Sequence, residues 1–119
     1  MNKTGLYLNK PCCITKINNA ELLVASHILP WSEDERNRLN PTNGLCLNAL
    51  HDKAFDRHLI TVSAEDYTIQ ISSKLKSKEV IESIDNNFGK LEGKEIVLPD
   101  KFLPSKEFLM KHNNLFANT

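Results

Sequence analysis

The chain carries no surplus of either charge. Fifteen Lys and Arg stand against fifteen Asp and Glu across 119 residues, so the formal net charge is zero. Bulk charge therefore argues neither for nor against nucleic acid, because affinity for phosphates comes from a local basic patch. Cysteine is scarce: Cys12, Cys13 and Cys46 make an odd count with one adjacent pair. That makes a poor disulfide framework and predicts a reducing, cytoplasmic setting. It also argues against a structural zinc, which takes four ligands, usually as two short-spaced pairs. Cys13 and Cys46 are expected to face each other as small buried thiols. No apolar run approaches the roughly 20 residues that span a bilayer. Residues 1–10 are mixed and polar, without the apolar stretch of a signal peptide. Internal repeats and low-complexity tracts are lacking too.

What is present fits one small domain. Residues 1–11 read as a lead-in, or as the remnant of a longer chain, and 12–119 as the domain. An apolar run over 22–28 predicts a strand. Pro30 removes a donor and holds Leu29 extended, so the strand ends there. Residues 32–42 are polar and charged, broken by Pro41, and read as a long loop, with Trp31 as an apolar plug at its start. Asn43-Gly44 marks a turn, Leu45–Leu47 a second strand, and Asn48 an N-cap for a helix over 49–57. Farther on, the pattern predicts strands at 60–62, 68–71 and 96–98. Helices are expected over 78–87, with Val80, Ile81 and Ile84 on one face, and after Ser105. The fold class is α+β: a small ββα core over about 22–58, extra short strands and a C-terminal helix.

Within 26–55 lie His27, Asn43 and His51. Phosphodiester hydrolysis needs a deprotonated, aimed water, a cation for the growing phosphate charge, and stabilisation of the leaving oxygen. His27, at a strand end before a proline bend, suits a general base near neutral pH. Alone it reads equally as a core histidine bonded to a carbonyl. Asn43 can donate and accept, so it can brace the loop near His27, although Asn-Gly turns are common. His51, at the start of the helix, suits a metal ligand whose other ring nitrogen is fixed by an acceptor. Alone it reads as a helix-surface histidine. Asp56 lies five positions on, about 140° around an ideal helix, so sharing an ion with His51 needs a frayed helix end or a bridging water. Arg36, Arg38, Lys53 and Arg57 are candidate phosphate contacts. The alternative for each is a solvated charged surface.

The segments A-S-H-I-L-P-W (25–31), N-P-T-N-G-L-C-L-N-A-L-H-D-K-A-F-D (40–56) and C-I-T (13–15) resemble HNH endonucleases. The likeness is to the branch found as the C-terminal domain of restriction-endonuclease-like proteins. G-K-E-I-V-L-P (93–99) and F-L-P-S-K-E-F-L-M-K-H (102–112) look like the tail of those proteins. The resemblance implies a hairpin plus helix (a His-Me finger) around one divalent ion: Mg²⁺ first, with Mn²⁺, Ni²⁺ or Zn²⁺ as alternatives. It implies His27 as base, Asn43 as brace and His51 as metal ligand. It implies cleavage of double-stranded DNA, in restriction or defence against foreign DNA, with a homodimer or an N-terminal recognition domain supplying specificity. The chain departs from the broader pattern at two places. Ser26 stands where many members carry a metal-binding Asp or His, and a neutral hydroxyl is a weaker ligand for a hard cation. Phe55 stands where many carry a second helix histidine. Ser26 and Asp56 are therefore carried as further ligand candidates. The competing expectation is a catalytically degenerate module that binds DNA or protein.

Overall fold

A computed structural model describes residues 10–30 and 40–118. Among the described residues, two small antiparallel sheets and three α-helices, with short 3-10 turns between them, make a mixed fold consistent with a ββα arrangement. Among the described residues, no helix is long and apolar enough to cross a membrane.

Strand β1 spans Leu23–His27 and pairs antiparallel with β2, Gly44–Asn48. The pairing runs from Leu23 opposite Asn48 to His27 opposite Gly44. Asn48 closes β2 and starts helix α1, Ala49–Asp56: its side-chain oxygen accepts the His51 N–H at 3.1 Å. A satisfied N-cap of this kind stabilises a helix by about 1 kcal/mol. Strand, connection, strand and helix thus follow each other as the turn and cap residues predicted. Trp31, Arg36, Arg38 and the first part of the 32–42 loop lie outside the described residues.

A second hairpin pairs β3, Ile60–Val62, with β4, Ile69–Ile71. The final helix, here α3, spans Lys106–Ala117, with the Ser105 hydroxyl accepting the Phe108 N–H. It is keyed to β3 by polar side chains. His112 takes the Thr61 hydroxyl at 2.7 Å and donates its other ring nitrogen to the Phe55 carbonyl at 2.9 Å. Its ring stacks on Phe55 with centroids 3.8 Å apart. Asn113 donates to Thr61 Oγ1 and the Val62 carbonyl and accepts the Ala64 N–H. Around these bonds lie Leu47, Phe55, Ile60, Val62 and Leu109, all buried. Each contributes roughly 1.5–3 kcal/mol by leaving water.

Two expectations need correction. The helix expected over 78–87 is only α2, Glu82–Asn87. Val80 and Ile81 are exposed, and Ile81 is the cap residue rather than part of an apolar face. Ser77 bonds the Glu79 carbonyl. Such a local side-chain bond competes with helical pairing. Residues 96–98 form no strand. Ile96 N–H goes to the Tyr67 carbonyl and Val97 N–H to the Cys13 carbonyl. Bonds divided between two partners cannot build one ladder, and only the bridge between Thr68 and Glu95 remains. Residues 96–98 instead close over the N-terminal segment, whose Cys13 N–H bonds the Cys46 carbonyl of β2 at 2.9 Å.

Candidate functional site

His27 is the last residue of β1 and is half-buried. Directly opposed residues in an antiparallel pair share a face, and neighbours along a strand point to opposite faces. His27 therefore shares its face with Gly44, Ala25 and Cys46. Its partner Gly44 has no side chain to crowd the ring. Ser26 is buried on the other face, opposite Leu45. The strand alternation separates the Ser26 hydroxyl from the His27 imidazole.

Asn43 is buried, and its amide makes a two-way clamp. Its oxygen accepts the Leu29 N–H at 2.9 Å and its nitrogen donates to the Leu29 carbonyl at 3.1 Å. The Asn43 carbonyl also accepts the Ile28 N–H. The backbone that leaves His27 is thereby fastened to the backbone that enters β2. Two or three net bonds at about 1 kcal/mol each hold the end of β1 in place.

His51 is about 1 % exposed, so it lies in the interior rather than on the helix surface. Its Nε2 donates to the Asn87 carbonyl at 2.7 Å, and its Nδ1 accepts from Asn48 Nδ2 at 2.8 Å. The Phe88 ring lies against it at 5.0 Å. Burial lowers its pKa and so favours the neutral ring, while the hydrogen bond to the Asn87 carbonyl pulls the other way. A proton on Nε2 leaves Nδ1 as the lone pair, which is the tautomer of a ligand fixed by a second-shell carbonyl. Here Asn48 occupies that lone pair. The same Asn48 amide also reaches Thr15 Oγ1 at 3.1 Å and Cys12 Sγ at 3.5 Å.

The remaining candidates stand apart from this centre. Asp56 is exposed at the last position of α1. Lys53 and Arg57 are exposed, four residues apart, a spacing that puts both on one side of a helix. They can meet a phosphate backbone without displacing packed atoms. Arg36 and Arg38 fall outside the described residues. No three His, Cys, Asp or Glu side chains among the described residues group closely enough to hold a metal ion. As arranged, the described residues do not compose a metal cradle: one histidine has both nitrogens engaged, the serine faces away from His27, and the carboxylate is at the surface.

Two participants lay beyond sequence reasoning. The Asn87 carbonyl comes from 36 residues downstream, with no local signal to announce it. Asn48 was legible as a cap, and its three-residue spacing to His51 could have revealed its second bond. The cysteines are all buried and free. Burial raises Cys13 well above the ordinary thiol range and, with the neighbouring Cys12, takes Cys46 to about 11. Burial also pushes Cys12 up, but hydrogen bonds from Thr15 and its neighbours outweigh it and leave that thiol lowered.

Residues 12–63 match the model of the HNH_2 family, described as HNH endonuclease. The matched stretch is under half of the chain and contains β1, β2, α1 and β3. It supports a nuclease-like function, contact with DNA and metal-dependent catalysis in general terms. No curated protein matches the chain.

Proposed function

We propose that this chain is a DNA endonuclease that hydrolyses phosphodiester bonds with His27 as general base. The observation that carries the reading is the coincidence of the HNH endonuclease match with a hairpin and helix that put His27 at a strand end, opposite a glycine. The imidazole would take a proton from the attacking water. Asn43, which touches no reacting atom, would keep the ring aimed by clamping Leu29. Lys53 and Arg57 would meet flanking phosphates of double-stranded DNA, with Arg36 and Arg38 adding contacts from the loop.

A divalent ion would supply charge at the phosphate, with Mg²⁺ the first candidate, and the family match is what supports its involvement. His51, Ser26 and Asp56 remain the proposed ligands. In the described arrangement they form no common cradle. A role in restriction or defence, a homodimer and a further recognition domain belong to the same proposal.

The second reading is a degenerate module that binds DNA without cutting it. The engagement of both His51 nitrogens by Asn48 and Asn87 favours it. One assay separates the two. Supercoiled plasmid is incubated with the protein and Mg²⁺, Mn²⁺ or Ni²⁺. The endonuclease reading expects nicked or linear product, absent with EDTA and reduced at least about a hundredfold in His27→Ala, the usual weight of a general base. Binding without product under every metal condition would establish the degenerate module instead.

A further inference from the structure

Residues 97–105 form an arch beside β2. One foot is fastened where the Val97 N–H meets the Cys13 carbonyl at 2.8 Å, and the other where the Ser105 N–H meets the Thr42 carbonyl at 2.9 Å. Tyr67 donates its hydroxyl to the Pro104 carbonyl at 2.9 Å, pinning the second foot. Beneath the arch lies a cavity of about 590 Å³. That volume falls in the range of small-ligand pockets, roughly 300–1,000 Å³. Gly44, Leu45 and Cys46 of β2 all line it; Gly44 and Cys46 are on the face of the hairpin that carries His27 and Leu45 is on the other, so the cavity runs beside the start of β2. Its inner wall is apolar, with Cys13, Leu45 and Ile96.

The rim has a different chemistry. Lys10, Lys101 and one carboxylate, Asp100, also line the cavity, and Asp100 and Lys101 are exposed to solvent. Phe102 also lines the cavity, yet its side of the arch is open to solvent: the residue is 53 % exposed. Its φ is +59°, a region that bulky residues rarely adopt. An exposed aromatic beside an apolar cavity is a stacking platform, and every nucleobase offers a π-face to one. Apolar walls beneath an aromatic lip, with ammonium groups at the mouth, match a base and the phosphates that flank it.

We propose that this cavity receives an unstacked nucleobase of the bound DNA strand, with Phe102 stacking on the base and Lys10 and Lys101 meeting the adjacent phosphates. The proposal rests on the nuclease reading and deepens it: the enzyme would prefer DNA in which one base is easily extruded. A base that is mismatched leaves the stack at lower cost than a paired one.

The test uses His27→Ala protein with Mg²⁺, so that the strands stay intact, and fluorescence anisotropy with three labelled probes. These are a fully paired duplex, the same duplex with one central mismatch, and its single strand. The mismatched duplex is expected to bind about tenfold tighter than the paired one, from stacking of one base on an aromatic. Adding Phe102→Ala should cut that preference to about twofold, while Phe102→Trp keeps it and affinity for the paired duplex stays within about threefold. Tight binding of the single strand alone, without the mismatch preference, would overturn base extrusion from a duplex. Equal affinity for paired and mismatched duplexes, or a preference that survives Phe102→Ala, would overturn the cavity assignment and leave the nuclease reading standing. Folded protein that binds none of the probes would overturn both. A Phe102→Ala effect on self-association in place of base preference would assign the cavity to a second copy and overturn the proposal.

Discussion

Acidification should destabilise the fold through His112, which docks α3 on β3. The ring is about 2 % exposed and stacked on Phe55. Its neutral form is the one the structure uses, with Nδ1 accepting from Thr61 and Nε2 donating to the Phe55 carbonyl. Burial lowers its pKa to about 4, and the neighbouring His58 adds to the fall, while the Phe55 carbonyl and Asp56 pull the other way. The unfolded chain titrates near 6.5. Between those values the unfolded state binds a proton that the native state refuses, so stability decreases as pH falls. At about 1.4 kcal/mol per pH unit, the loss from 6.5 to about 4 comes to roughly 3 kcal/mol, and it levels off once the native ring also protonates. Urea unfolding followed by far-UV circular dichroism at pH 7 and pH 4 gives the loss directly. His112→Gln keeps an amide that can donate to the Phe55 carbonyl and has no proton to gain. It should be less stable than the parent at pH 7 by about 1–3 kcal/mol. Its further loss on acidification should be smaller than the parent's by about 3 kcal/mol, since His51 and the carboxylates contribute alike in both proteins. Equal losses in the two proteins would refute the assignment of the acid sensitivity to His112.

Other outcomes follow from packing and hydrogen bonding. Asn43→Ala leaves the Leu29 N–H and carbonyl without partners inside the protein, so denaturant unfolding should show a loss of about 2–3 kcal/mol. The same variant should lower plasmid cleavage more than plasmid binding, because the end of β1 is no longer held. Asn48→Ala removes the cap of α1 together with the Nδ1 partner of His51, and should reduce stability by about 1–3 kcal/mol in the same assay. Leu109→Ala opens a void at a wholly buried position and should cost about 2–5 kcal/mol by thermal or urea unfolding. Val80→Lys, at a position 80 % exposed, should change stability by less than about 0.5 kcal/mol.

The parts legible in the sequence are those written in neighbouring residues. Pro30, Asn43-Gly44 and Asn48 announce a strand end, a turn and a cap within a few positions of where each acts, and the β1–β2–α1 unit follows them. Ser105 announces α3 in the same way. The apolar spacing of Val80, Ile81 and Ile84 misled, because periodicity shows that a face would exist in a helix, not that anything lies opposite to cover it. The 96–98 run is apolar enough for a strand, but its two donors reach different segments. His51 was the least legible residue of the site. Whether a helix histidine faces water or the interior depends on what packs against it, and Asn87 and Phe88 arrive from far along the chain. The docking of His112 and Asn113 on β3 is equally non-local, spanning about fifty residues to Thr61 and Val62.

The clamp between Asn43 and Leu29 joins the end of β1 to the start of β2 by one side chain and one stretch of backbone. Amide pairing fixes their separation and direction through the backbone of Leu29 alone, so at that position only proline, which has no N–H, would remove one of the two bonds.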